Sequence, residues 1–138
     1  MSDVPSPERV RNAILVVDDN VDAADSLALL LERDGFDVQV AYDGRSAVEQ
    51  FDARRPLAVI MDIGLPIMDG YETARLMRQR QGDSSLLIIA LTGWGHADDR
   101  RRSSAAGFDH HLVKPVLPSE IYALLSHSGK AERPAGSP

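Results

Sequence analysis

Residues 13–35 read AILVVDDNVDAADSLALLLERDG, and this stretch decides the fold. Ala13 to Val17 is an unbroken apolar run, mostly β-branched, which is the composition of a strand covered on both faces. Beyond it the apolar spacing changes. Leu27, Leu30 and Leu31 predict one stripe of a helix, and Gly35 supplies its C-terminal stop. Between the two, Asp18, Asp19, Asp22 and Asp25 crowd together with Asn20 among them. Like charges so close either form a solvated turn into the helix or surround something cationic.

The strand-then-helix unit recurs along the chain. Further β-type runs are DVQVAY (37–42), LAVIM (57–61), LLIIAL (86–91) and HHLVK (110–114). Helical spacing appears in Ala47, Val48 and Phe51, a segment opened by Asp43. It appears again in Tyr71, Ala74 and Met77, and in Ile121, Leu124 and Leu125, where Pro118 starts the segment. The segment from His96 to Ala106 is polar almost all round and is the weakest helix of the set. Five strands alternating with five helices predict an α/β fold, a doubly wound five-stranded parallel sheet. In such sheets ligands bind at the carboxyl ends of the strands.

The totals narrow the class. The chain has 138 residues, 43% hydrophobic and 26% charged, enough for one domain with one core. Residues 12–126 are expected to fold, with flexible tails at 1–11 and 127–138. No cysteine is present, which removes disulfides and thiolate chemistry. No run of about 18 apolar residues predicts a membrane span, and MSDVPSPERVRN lacks a signal peptide's apolar segment, so the expected location is cytoplasmic. A net charge of -6 argues against a general nucleic-acid-binding role, and the basic cluster DRRRSSAAG (99–107) reads as a solvated helix face.

Chemistry collects after the strands. Asp18 and Asp19 follow the first, Asp62 the third, Thr92 the fourth, and Lys114 with Pro115 the fifth. The topology brings these positions to one edge, where the carboxylates repel unless a cation neutralises them. Hard oxygen ligands without His or Cys favour Mg2+ or a similar ion such as Mn2+. A hydroxyl and an ammonium opposite a metal suit an incoming phosphoryl group.

In ILVVDDN, VIMDIGLPIMDGYE, IIALTGWG and GFDHHLVKPV the chain resembles the receiver domain of two-component response regulators, in order and spacing, over roughly residues 12 to 126. The resemblance implies a flavodoxin-like fold and a phosphorylation-controlled signalling module, not an enzyme in the ordinary sense. It implies that Asp62 is the phosphoacceptor and that Asp19 binds the metal directly. Asp18 would hold a metal-bound water, and the Gly64 carbonyl would complete the protein's ligands. Thr92 and Lys114 would contact phosphoryl oxygens, and Pro115 would carry a cis peptide that aims the Lys. The implied donor is a sensor histidine kinase or histidine phosphotransfer protein. The target is some further protein, reached without an output domain in this chain, and pairing through the last helix-strand-helix face is also implied.

Two positions depart from the family pattern. His111 stands where an aromatic switch residue is common, so a switch there would be polar. Trp94 lies two past Thr92, and with Gly64 two past Asp62 it implies slow self-dephosphorylation, because neither positions a water well. Bland readings exist for every residue: a capping turn for the double Asp, loop entry for Thr92-Gly93, an ordinary turn for Lys-Pro, punctuation for MDG. They must all hold independently to displace the functional one. A calcium loop at Asp18, Asn20 and Asp22 fails because Ala23 replaces the turn Gly and Leu29 the final Glu. His110 and His111 are strand neighbours facing opposite ways, which excludes a shared metal. A magnesium phosphatase needs Asp-x-Asp after strand one and finds Asp18-Asp19-Asn20. A phosphate-independent scaffold has no need of the full Asp19, Asp62, Thr92 and Lys114 set. Asp22 and Asp25 then read as solvated, first-turn helix charges.

Overall fold

The structure, a computed structural model, describes residues 13–63, 70–81, 86–92, 107–114 and 116–127. The chain runs β1 (Ala13–Val17), α1 (Val21–Arg33), β2 (Asp37–Ala41), α2 (Gly44–Arg54), β3 (Ala58–Asp62), α3 (Gly70–Gln81), β4 (Leu87–Thr92), β5 (His110–Val113) and α4 (Pro118–His127). All neighbouring strands are parallel, in the order β2-β1-β3-β4-β5. The doubly wound five-stranded sheet is therefore as expected. Among the described residues there are four helices; the expected fifth, between His96 and Ala106, lies outside them, as do 1–11 and 128–138 of the expected tails, whereas His127 is the last residue of α4.

Why the central strands are continuously apolar is plain from the packing. Alternate residues of β1, β3 and β4 point to opposite faces, and helices cover both. On one face Leu15, Val17, Val59, Met61, Ile88 and Ala90 pack with Ala47 and Phe51 of α2 and with Tyr71, Ala74 and Met77 of α3. On the other, Ile14, Val16, Ile60, Ile89 and Leu91 pack with Ala24 and Leu31 of α1 and with Ile121 and Leu125 of α4. The helical spacings of α2, α3 and α4 thus match the buried faces.

In α1 the stripe differs from the expectation. Ala24, Ala28 and Leu31 are the buried residues, Leu27 is half-buried, and Leu30 is 41% exposed. Successive helix residues are turned by about 100°, so Leu30 cannot share the buried side of Leu31. The stop is as expected and its bonds are visible. Gly35 takes a positive φ of 97°, its N–H donates to the Glu32 carbonyl, and the Phe36 N–H donates to that of Leu31. This is the paired C-terminal closure that a left-handed glycine permits, and Phe36 returns into the core beside Leu31.

Gly70 has a packing reason that its reading as punctuation misses. A Cβ there would lie 2.8 Å from the Ile63 Cα and 3.1 Å from the Asp62 carbonyl oxygen. The first turn of α3 therefore rests on the backbone that carries Asp62. Gly70→Ala is expected to lower the melting temperature and to shift the Asp62 and Ile63 amide resonances, because backbone atoms would have to give way. An unchanged Tm and spectrum would contradict this contact.

Candidate functional site

The carboxyl edge of the sheet brings together four side chains, each from the end of a different strand. Asp18 follows β1, and its own N–H continues the ladder to the Ala41 carbonyl at 3.1 Å. Asp62 is the last residue of β3, and Thr92 the last of β4, so both end a strand where the sequence reading placed them just beyond one. Lys114 follows β5, and its N–H donates to the Thr92 carbonyl at 2.8 Å. That bond carries the ladder one residue past the strand and sets the Lys stem beside β4.

The Lys114 Nζ donates to Asp62 Oδ2 at 2.6 Å and lies 3.4 Å from Asp18 Oδ2. Asp18 is nearly closed off, with 5% of its side chain exposed, against 15% for Asp62. The other oxygen of Asp18 accepts the Asn20 N–H at 3.0 Å. Burial pushes the Asp18 carboxyl above its ordinary range, more than the Asn20 N–H and the Lys114 charge pull it down. For Lys114, burial acts to lower the pKa, but the hydrogen bond to Asp62 and the charges of Asp62 and Asp18 outweigh it, so it rises and the ammonium stays charged.

Asp18, Asp19 and Asp62 each offer a carboxylate oxygen, all within 4.8 Å of one another. At that separation and an effective dielectric near 20, two such charges repel by roughly 3 kcal/mol. One ammonium cannot offset three carboxylates. The residues fit a hard divalent cation such as Mg2+ on both counts, oxygen donors and uncompensated charge.

Thr92 is buried, and the register places His111 on its side of the sheet. His111 pairs with Ala90, and Val113 with Thr92, so by strand alternation Thr92, Ala90 and His111 face the same way and His110 the other. Gly64, Trp94 and Pro115 lie outside the described residues, and with them the carbonyl ligand, the shielding indole and the cis peptide.

Several contributors were not legible as such. Asn20 caps α1 through its side chain, a role that its place between a strand and a helix does signal. Asp25 belongs to the second turn of α1 and accepts the Tyr42 hydroxyl at 2.6 Å, so it is not the free first-turn charge expected; Asp22 is. Arg78 donates to the carbonyls of Gly107 and Leu86 and to Asp109. This ties α3 to the entry of β5 across a chain separation that no sequence pattern marks.

Beside the carboxylates lies a cavity of about 420 Å3 between α1 and the start of the β5–α4 connection. Leu27, Leu30, Leu91 and Val116 give it an apolar lining, and Asp18 and Lys114 line it as well. The exposed Leu30 thus has a place in the site's surroundings, though not in the core.

With this geometry in view, the comparisons agree. The response regulator receiver domain family matches residues 14–126, and the chain belongs to that family. It is 36% identical over 112 residues to an uncharacterized 14.6 kDa protein of Leptolyngbya boryana, covering 81% of this chain and 86% of that protein. It is also 36% identical over 110 residues to the transcriptional regulatory protein PrrA of Mycobacterium tuberculosis, covering 80% of this chain and 46% of PrrA. The chain thus spans about half the length of that regulator. Among solved structures, chemotaxis protein CheY4 of Vibrio cholerae superposes with a TM-score of 0.78 at 27% identity, over 83% of this chain and 96% of that one. The receiver domain of sensor histidine kinase PA1611 from Pseudomonas aeruginosa superposes with a TM-score of 0.75 at 32% identity, over 84% and 95%, and was solved with magnesium coordinated in its active-site cleft. Receiver domains are phosphoacceptor signalling domains that bind Mg2+ in an acidic site. No helix among the described residues is long and apolar enough to cross a membrane.

Proposed function

We propose that this chain takes a phosphoryl group from a phosphohistidine onto Asp62 and signals by the conformational change that follows. The observation that carries the reading is Lys114 Nζ at 2.6 Å from Asp62 Oδ2, inside a set of three carboxylates at the carboxyl edge of the sheet. An Asp62 oxygen attacks phosphorus, the P–N bond of the donor breaks, and the imidazole leaves with the electron pair and is protonated. Asp18, Asp19, Asp62 and the Gly64 carbonyl would hold Mg2+ or Mn2+. When bound, that ion supplies positive charge to the transferring group's oxygens. Lys114 moves from the Asp62 carboxylate to a phosphoryl oxygen, aimed by a cis peptide at Pro115, and Thr92 donates its hydroxyl to another. His111, on the face of Thr92, follows that movement and serves as the switch.

The donor is a sensor histidine kinase or a histidine phosphotransfer protein, and the apolar cavity beside Asp18 and Lys114 supports a protein donor. A small phosphodonor has no use for an exposed Leu30. The phosphorylated surface meets a downstream protein partner, and a dimer would form through the last helix-strand-helix face. Gly64 and Trp94 favour slow loss of the phosphoryl group. The setting is cytoplasmic, with no nucleic acid needed.

The test is to incubate the protein with Mg2+ and acetyl phosphate and take an intact mass, which should show one added phosphoryl group. No addition would remove the reading. In a second arm, Leu30→Glu should slow phosphorylation by a phosphorylated protein donor by roughly tenfold, about 1.4 kcal/mol of lost apolar contact, and leave acetyl phosphate labelling unchanged. Equal slowing with both donors would show that Leu30 serves the fold and not docking.

A further inference from the structure

Asn20 belongs neither to the carboxylate set nor to the helix that follows it. Its backbone is extended, with φ −81° and ψ 105°. Two bonds fasten it to α1: its Oδ1 accepts the Ala23 N–H at 3.0 Å, and its carbonyl accepts the Ala24 N–H at 2.9 Å. With both made, the peptide plane at the start of the helix has little freedom, and the Asn20 N–H points back along the chain. There it meets Asp18 Oδ1 at 3.0 Å.

Asp18 is the carboxylate most in need of an orienting donor. Its side chain is the most enclosed of the Asp18, Asp62 and Lys114 set, and its second oxygen has only the longer 3.4 Å approach of Lys114. Once Lys114 turns to a phosphoryl group, the Asn20 N–H is the donor that stays.

We propose that Asn20 is a positioning residue for divalent-cation binding: by capping α1 it holds the backbone N–H that fixes the Asp18 carboxylate. This rests on the phosphoacceptor reading of the site. Without the carboxamide the Ala23 N–H loses its partner and the first turn of α1 frays. The Asn20 N–H then wanders with that turn, and Asp18 samples rotamers that face away from Asp19 and Asp62. A cap that served only the fold would lower stability and leave metal affinity alone.

The experiment measures Mg2+ binding by calorimetry, and thermal unfolding without metal, for the wild type, Asn20→Ala, Asn20→Ser and Ile121→Val. Ile121 is fully buried on the core-facing side of α4, so its truncation reports what lost stability alone does to binding. Asn20→Ala should weaken Mg2+ binding roughly three- to tenfold, below the 10- to 100-fold that deleting an outer partner outright costs, because the backbone donor survives. Asn20→Ser, a cap of similar quality, should restore binding to within about twofold. Ile121→Val should lose stability and bind as the wild type does. Unchanged affinity in Asn20→Ala overturns the proposal, and so does failure of Asn20→Ser to restore it, since the carboxamide would then act in some way other than capping. A wild type that binds no Mg2+ overturns the phosphoacceptor reading itself, which is a different result from an indifferent Asn20.

Discussion

Asp62→Asn should remain folded and take up no phosphoryl group under conditions that label the wild type completely. The substitution keeps the shape at the end of β3, where residue 62 pairs with Leu91, and the amide oxygen still accepts a hydrogen bond from Lys114. What disappears is the anionic nucleophile. An amide oxygen does not attack phosphorus at a useful rate, and no other carboxylate among the described residues holds the Lys ammonium at 2.6 Å. Asp18 is the nearest alternative, at 3.4 Å and almost fully enclosed. Intact mass after acetyl phosphate treatment reads the result directly. Labelling of Asp62→Asn at the wild-type rate would move the acceptor to another residue.

Magnesium should raise the melting temperature strongly, and Asp19→Asn should erase most of that rise. Binding to the folded state alone at a hundredfold excess over Kd contributes about 2.7 kcal/mol. For a domain of this size that is roughly a 10 °C shift. Asp19 is the exposed member of the three carboxylates, so removing its charge costs no buried partner and relieves repulsion. The metal-free mutant should therefore melt no lower than the wild type, and only its response to Mg2+ should shrink. This separation of signs makes the measurement decisive: a general loss of stability would lower both curves together. A full Mg2+ response in Asp19→Asn would dismiss Asp19 as a ligand.

The architecture was readable because it follows from periodicity and burial. Ala13 to Val17 is apolar without interruption since helices cover both faces of β1, and a strand with one wet face would alternate. The same holds for β3 and β4. Gly35 and Asp43 mark helix ends through bonding rules that operate within a few residues, and both marks hold in the structure. Leu30 failed for a related reason. A helix with leucine at 27, 29, 30 and 31 has more apolar positions than one buried side can use, and spacing alone does not say which of them the sheet covers.

The sequence by itself determined which residue types stand at the strand ends: Asp18 and Asp19, Asp62, Thr92, and Lys114. A parallel α/β chain returns every strand to the same edge, so local order along the chain becomes proximity in space. Only the tertiary structure decided how those groups meet. Lys114 reaches Asp62 more closely than Asp18, Gly70 rests on the Asp62 backbone, and Arg78 anchors Asp109. Those choices depend on side-chain rotamers and on the fit of helices against the sheet, which are set by close packing across the whole domain and leave no periodic trace along the chain.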